Sequence, residues 1–180
     1  MKTEAFMRFI ESLGSMRQKI PTADRLIQQL LLAHTVTLLE EYMQTLVVAL
    51  ISHNDELLLK LAQCKHFENH KLTLAAAIKS DPRQYLQALV KEFNFHSLGD
   101  TEPLLRQAFN IKINITPELV DLIRLRNDVV HRNARTKHGQ PLELSPEAVF
   151  KASQMVEVLA SSIDQQALTL TRLEPSQRVN

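Results

Sequence analysis

Residues 22–51 read TADRLIQQLLLAHTVTLLEEYMQTLVVALI. Thr22 and Asp24 are small polar residues of the kind that cap the first turn of a helix. Beyond them, apolar side chains recur on nearly every side of a helix: Leu26, Ile27, Leu30, Leu31, Val36, Leu39, Met43, Leu46, Val47 and Leu50. A helix that is apolar all round is normally buried. We therefore expect one long, central helix here, covered by the other elements of the fold.

Helix signals continue on both sides of this run. Before it, apolar residues at helical spacing predict a helix from Thr3 to Gln18, which Pro21 ends. After it, polar caps and prolines predict further helices at residues 56–64, 72–79, 82–95, 102–109, 116–132 and 145–170. The stretch Asn133 to Leu144 contains Gly139 and Pro141 and reads as a loop or a hairpin-like excursion.

These elements predict an all-α fold. We expect an up-and-down helical bundle of four to five main helices plus short connecting helices. No internal repeat or linker interrupts residues 1–170, so a single domain is expected there, followed by a disordered tail at residues 171–180.

Composition restricts the compartment and the class of protein. The single cysteine, Cys64, excludes an intrachain disulfide and favours a reducing, cytoplasmic location. The apolar stretch Leu46–Ile51 is far shorter than the roughly 20 apolar residues of a membrane span, so no membrane partner is expected.

Cys64, His66 and His70 have thiol and imidazole groups that could bind zinc, but no second ligand pair of ordinary zinc spacing follows them. We expect neither a metal nor a cofactor.

Charge is concentrated in one segment. The chain has a formal net charge of +1, yet Arg124 to His138 contains five Lys or Arg residues and one acid. The remainder holds 16 basic and 19 acidic residues. A positive island on a mildly acidic body suits a short anionic ligand better than long duplex DNA. Four of its cations are candidates for substrate binding: Arg124, Arg132, Arg135 and Lys137.

The same island contains the residues best suited to catalysis. Arg126, Asn127 and His131 lie near the end of the helix predicted at residues 116–132. Asn127 and His131 are four residues apart and share a face. Arg126 and His131 are five apart and diverge by about 140° on a regular helix. They can converge on one phosphate only if the last turn is distorted, or if a symmetric partner brings a second copy of the motif.

The segment from Arg126 to His131, RNDVVH, resembles the signature of the HEPN family, an Arg, four to six residues of which the first is polar, and a His. Its continuation, from His131 to Gly139 and then Pro141, resembles the bacterial RiboL-PSP branch. The motif also ends the helix before the last one, which is where the family has it. The resemblance extends over residues 20–170 in architecture and is close only over 124–139.

The resemblance implies a homodimer whose two motifs line a shared cleft, and a metal-independent endoribonuclease of a toxin or anti-phage system. A separately encoded regulator or antitoxin is then a possible partner beside RNA. His131 would act as general acid or base, because imidazole titrates near neutral pH. Arg126 would hold the phosphate with its planar fork, and Asn127 would fix the imidazole or bind RNA.

Two further points stay open at the level of sequence. In HEPN relatives, polar residues of the central helix orient the motif arginine, which makes Glu40, Glu41 and Tyr42 candidates here. The alternative to an enzyme is a dimeric module that binds RNA, nucleotide or protein without cutting. A purely structural role of the motif is the third interpretation, since Arg and His also complement a helix C-terminus.

The other residues of the motif have structural interpretations. Val129 and Val130 are expected in the core, and Asp128 is expected to pair with Arg124, Arg132 or a partner chain.

Overall fold

The computed structural model describes residues 2–71, 73, 75, 78 and 81–172. Within them, α-helices run over Glu4–Arg17 (α1), Arg25–Ser52 (α2), Asp55–Ala62 (α3), Pro82–Glu92 (α4), Leu98–Phe109 (α5), Pro117–His131 (α6) and Pro146–Arg172 (α7). A short 3-10 turn, Ile20–Thr22, joins α1 to α2. The described part of the chain contains no β-strand beyond one isolated bridge. The predicted all-α helical bundle is confirmed.

Local caps explain several helix starts. Thr116 accepts the Leu119 amide at the start of α6, and Pro117 occupies the first helical position, as the sequence predicted. Asp81 caps α4 in the same way by accepting the Arg83 amide. The predicted helix at residues 72–79 lies mostly outside the described residues, and the predicted tail lies outside them from residue 173 onward.

The start of α5 was predicted wrongly. The sequence suggested a break at Ser97 to Asp100 and a helix from Glu102, whereas α5 begins at Leu98. The Ser97 carbonyl accepts the amides of Asp100 and Thr101, and the Ser97 hydroxyl donates to the Asp100 carboxylate at 2.6 Å. The polar residues that looked like a break are therefore the cap and first turn of the helix.

Contacts divide the chain into two compact units. The first consists of residues 1–3, 43–113 and 162–180, and contains α3, α4 and α5 with the later part of α2 and of α7. Helix α3 packs on α5. The carboxylate of Asp164, which is fully buried, accepts hydrogen bonds from Thr3. The core of this unit includes Met43, Leu46, Val47, Ile51, Leu61, Phe67, Val90, Phe93, Phe95, Leu105, Phe109 and Ile111.

The second unit consists of residues 4–42 and 114–161, and contains α1, α6, the early part of α2 and the early part of α7. Tyr42 anchors its core. The Tyr42 ring packs against Phe6 and Phe9, and its hydroxyl donates to the Ala160 carbonyl at 3.1 Å. The same core includes Leu13, Met16, Leu32, Val36, Leu39, Leu119, Leu122, Val149 and Val156. The single domain expected from the sequence remains a prediction.

The burial predicted along α2 is wrong for its first turns. Val36, Leu39, Met43, Leu46, Val47 and Leu50 are buried, but Leu26, Ile27 and Leu30 are 61%, 40% and 52% exposed. An apolar pattern shows which faces of a helix favour burial, but it does not show that the same chain covers them. In the described residues, no helix is long and apolar enough to cross a membrane.

Candidate active site

Helix α6 holds the whole motif. Its buried face packs through Leu119 and Leu122, and the chain stays α-helical from Pro117 to His131 before Arg132 ends it. The distorted last turn that could have turned Arg126 toward His131 is therefore not present. On this regular helix the two side chains leave the axis in directions about 140° apart.

The Arg126 side chain points inward and is 14% exposed. One terminal nitrogen, Nη2, lies 3.8 Å from Oε2 of Glu40 on α2, and the other, Nη1, donates to Oδ1 of Asn127 at 3.2 Å. The Nε atom is buried and has no hydrogen-bond partner among the described residues. The guanidinium is thus held from two sides, while one of its donors is unused.

The three α2 residues considered from the sequence have three different positions. Glu40 is partly buried beside Arg126. Glu41 is exposed. Tyr42 lies in the core of its unit. Of the three, Glu40 contacts the motif, through its ion pair with Arg126.

His131 lies at the other side of the helix and is exposed. Asn127, four residues earlier, is partly exposed on the same face. Val130 was expected in the core, which is wrong, because it is 50% exposed. Val130 shares a face with Arg126, four residues earlier, whereas Val120 lies on the side of His131 and is also 50% exposed. The face that presents His131 is therefore partly apolar, and nothing in the described part of this chain covers it.

The four candidate substrate-binding cations differ in how strongly the chain itself engages them. Arg124 pairs with Asp121 at 2.8 Å, and both side chains are exposed. Arg132 pairs with Asp128, whose side chain is only 6% exposed. Arg135 donates from Nη1 to the Gly139 carbonyl at 2.9 Å. All four are exposed, but the other three are engaged by groups of their own chain, so Lys137 is the cation best placed to meet a ligand.

Residues Asn133–Leu142, called here the hairpin, form an ordered excursion after α6. The Thr136 amide donates to the Gln140 carbonyl at 2.9 Å, and the Leu142 amide donates to the Ala134 carbonyl at 2.8 Å. The isolated bridge joins Arg135 to Pro141. The hairpin-like excursion predicted from the sequence is confirmed.

Sequence reasoning missed how the hairpin is anchored. Gln29 of α2 is buried and donates from Nε2 to the Leu142 carbonyl at 2.8 Å. Arg25 lies nearby, with Nη2 3.4 Å from the same oxygen. The buried glutamine in an apolar helix was the available signal, because a buried amide needs a partner.

The residues considered for zinc have other roles. In the part of the chain that the structure describes, no three His, Cys, Asp or Glu side chains are grouped so that they could hold a metal ion. The Cys64 thiol donates to the Lys60 carbonyl at 3.3 Å, and burial raises its pKa. His66 packs edge-on against Phe93, with 4.6 Å between ring centroids.

Comparison with known proteins gives one positive finding. The family described as RiboL-PSP-HEPN matches residues 8–169, which include α6, the hairpin and Glu40. Neither the curated proteins nor the solved structures compared with the chain gave a match.

Proposed function

Because the chain belongs to the HEPN family through its RiboL-PSP-HEPN match, we propose that it is a homodimeric, metal-independent endoribonuclease. One observation carries this proposal: an uninterrupted α6 holds Arg126 inward beside Glu40 and presents His131 outward. One chain alone separates the two groups that the reaction needs. Two copies facing each other through α6 can supply them to one phosphate.

The proposed reaction is an internal transesterification of RNA. A 2′-oxygen attacks the adjacent phosphorus, the bond from phosphorus to the 5′-oxygen breaks, and the products are a 2′,3′-cyclic phosphate and a 5′-hydroxyl. A neutral imidazole removes the proton of the 2′-hydroxyl, and a protonated imidazole donates a proton to the leaving 5′-oxygen. The two His131 side chains of a dimer provide one group for each role.

Arg126 stabilises the charge that grows on the phosphate oxygens. Its guanidinium is held by Glu40 and Asn127, and its side chain is 14% exposed. A planar fork in a partly dehydrated position suits a phosphorane. In this proposal Glu40 is a positioning residue, because it acts through Arg126.

The surface for the second copy lies on the side of α6 between His131 and Arg126. Val130 is 50% exposed there, and Val120 is 50% exposed next to it on the side of His131. Ile27 and Leu30 of α2 are also exposed, and α2 meets α6 through Glu40 and Arg126. Burying these side chains against a second copy would remove apolar surface from water, which is the main driving force for such association. The proposed dimer therefore accounts for the exposure that the sequence did not predict.

The test compares wild type with His131→Ala on RNA in the presence of EDTA, with the product ends identified. General acid or base catalysis contributes about 10²- to 10⁴-fold, so the variant is expected to lose at least about 10²-fold in cleavage rate. His70→Ala is the matched control, since His70 is exposed and lies outside the site. Cleavage that needs a divalent metal, or that persists undiminished in His131→Ala, would refute the mechanism.

The second candidate is a non-catalytic module that binds RNA, nucleotide or a partner protein. It is favoured by the ion pair between Arg126 and Glu40, which already engages the phosphate-binding group inside the chain. RNA binding by wild type without any cleavage would support it. Action as a toxin or anti-phage effector under a separately encoded regulator extends the enzyme proposal, and growth arrest on expression of wild type but not His131→Ala would support it.

A further inference from the structure

A buried acid lies within the positive segment. Asp128 comes directly after Asn127 and three residues before His131, and its side chain is only 6% exposed. Arg132 donates to its carboxylate from Nη1. Burying a carboxylate is costly unless a partner compensates for the lost water. The pair with Arg132 therefore explains how Asp128 can lie inside, and it ties down the residue that follows His131.

The main chain of Asp128 engages the same region. Its carbonyl accepts the amide of Arg132 at 3.2 Å and the amide of Ala134 at 3.1 Å. Next to these bonds, Asn133 and Ala134 both have a φ in the left-handed region, 50° and 55° respectively. Two consecutive left-handed residues without glycine persist only where the surroundings hold them. Asp128 provides that support from both its side chain and its carbonyl.

The far end of the hairpin is held as well. Leu142 is buried, its amide donates to the Ala134 carbonyl, and its own carbonyl accepts from Gln29. Lys137 is exposed between these two anchored ends. The hairpin is thus fixed at its start through Asp128 and at its end through α2.

From this arrangement we infer that Asp128 is a positioning residue, which holds His131 and the cation Lys137 in one fixed geometry for a bound RNA strand. The inference rests on the proposed function and deepens it. His131 is the last residue of α6, so the bonds that end the helix also set the position of its imidazole. The same bonds set the direction in which the hairpin leaves. Binding of the RNA backbone by Lys137 and cleavage by His131 are therefore coupled through the buried carboxylate of Asp128.

The first experiment needs no RNA. Hydrogen exchange is measured on wild type, Asp128→Asn and Arg132→Ala, with Asp121→Asn as the control. Asp121 also pairs with an arginine on α6, but that pair is exposed. Losing a hydrogen bond to a charged group should speed exchange of the Thr136 and Leu142 amides on the order of tenfold in the two test variants. Unchanged exchange there, or an equal change in Asp121→Asn, would overturn the inference.

The second experiment separates positioning from general stability. Asp128→Asn should lower kcat by about tenfold or more, because small misplacements of a catalytic group are costly, while its circular dichroism stays that of wild type. RNA affinity is then measured in the His131→Ala background. Lys137→Ala should weaken binding when Asp128 is present and add little when Asp128→Asn is also present.

The outcomes distinguish this inference from the proposed function. If wild type cleaves RNA and Asp128→Asn keeps its kcat and the full effect of Lys137→Ala, the inference is wrong and the proposed function stands. If wild type cuts no RNA, the proposed function fails and the catalytic role of Asp128 fails with it. A lower kcat together with non-additive binding supports the inference.

Discussion

The contact between Glu40 and Arg126 gives the sharpest test, because the chain contains its own control one residue away. Glu40 lies 3.8 Å from Arg126, and the two side chains are 22% and 14% exposed. Glu41 is exposed on the same helix. Glu40→Gln and Glu41→Gln remove the same charge from adjacent positions. Only the first variant removes a partner of Arg126.

The expected size follows from this geometry. Two unit charges 3.8 Å apart attract by about 4 kcal/mol at an effective dielectric constant of 20. Desolvation of the two groups offsets much of this attraction, which leaves a net loss of about 1–2 kcal/mol for Glu40→Gln. In a chain of this length each 1 kcal/mol lowers Tm by about 2–4 °C, so we expect a decrease of about 5 °C. Glu41→Gln should change Tm by less than about 1 °C, as surface substitutions usually do.

Thermal unfolding of wild type, Glu40→Gln, Arg126→Gln and the double variant measures the coupling directly. A coupling of about 1 kcal/mol or more is expected, since the double variant no longer holds a partly buried charge without its partner. RNA cleavage should fall in Glu40→Gln through kcat, and stay unchanged in Glu41→Gln. Additive effects of Glu40→Gln and Arg126→Gln, or equal behaviour of the two glutamate variants, would refute the positioning role of Glu40.

Four other predictions each concern a single residue. Ala134→Gly should raise Tm by a few degrees, because a left-handed residue with a Cβ costs roughly 1–2 kcal/mol and glycine loses only part of that gain as chain entropy; a lower Tm would show that the hairpin is not strained. Thr116→Ala should destabilise the protein by about 1 kcal/mol through loss of the α6 cap, with Thr116→Ser restoring it. Hydrogen bonds from its own amide and from Thr116 lower the pKa of Glu118, so its stabilisation is present above the unfolded pKa and lost as pH falls through the folded one; Tm of wild type and Glu118→Gln should therefore converge in acid. Val130→Lys should shift a dimer toward monomer in sedimentation, and an unchanged mass would place the interface elsewhere.

Periodicity was sufficient to predict most of the helices but not what covers them. The start of α6 followed from Thr116 and Pro117, since a cap bond is local and depends on neighbouring residues alone. The exposure of Leu30 and Val130 did not follow, because the same apolar pattern fits a face covered by its own chain and a face left for another. Asp128 is a similar case. Its pairing with Arg132 was one of the predicted options, but its burial depends on tertiary packing, which no local signal specifies.

The sequence pattern along α2 is sufficient to predict which of Glu40 and Glu41 faces the inside of the fold. One stripe along α2, at intervals of three and four residues, is polar and exposed: His34, Thr37 and Glu41. The neighbouring stripe is apolar and buried around its single acid: Val36, Glu40, Met43 and Val47. A carboxylate in the apolar stripe needs a cationic partner inside the fold, and this condition selects Glu40 from the sequence itself. The pattern along α2 does not select the cation that Glu40 meets, because contact with Arg126 depends on how α2 and α6 pack; the family resemblance was what pointed to Arg126. The divergence of Arg126 and His131 by about 140°, by contrast, follows from the helical rotation alone, and it is the reason that the proposed site needs two chains.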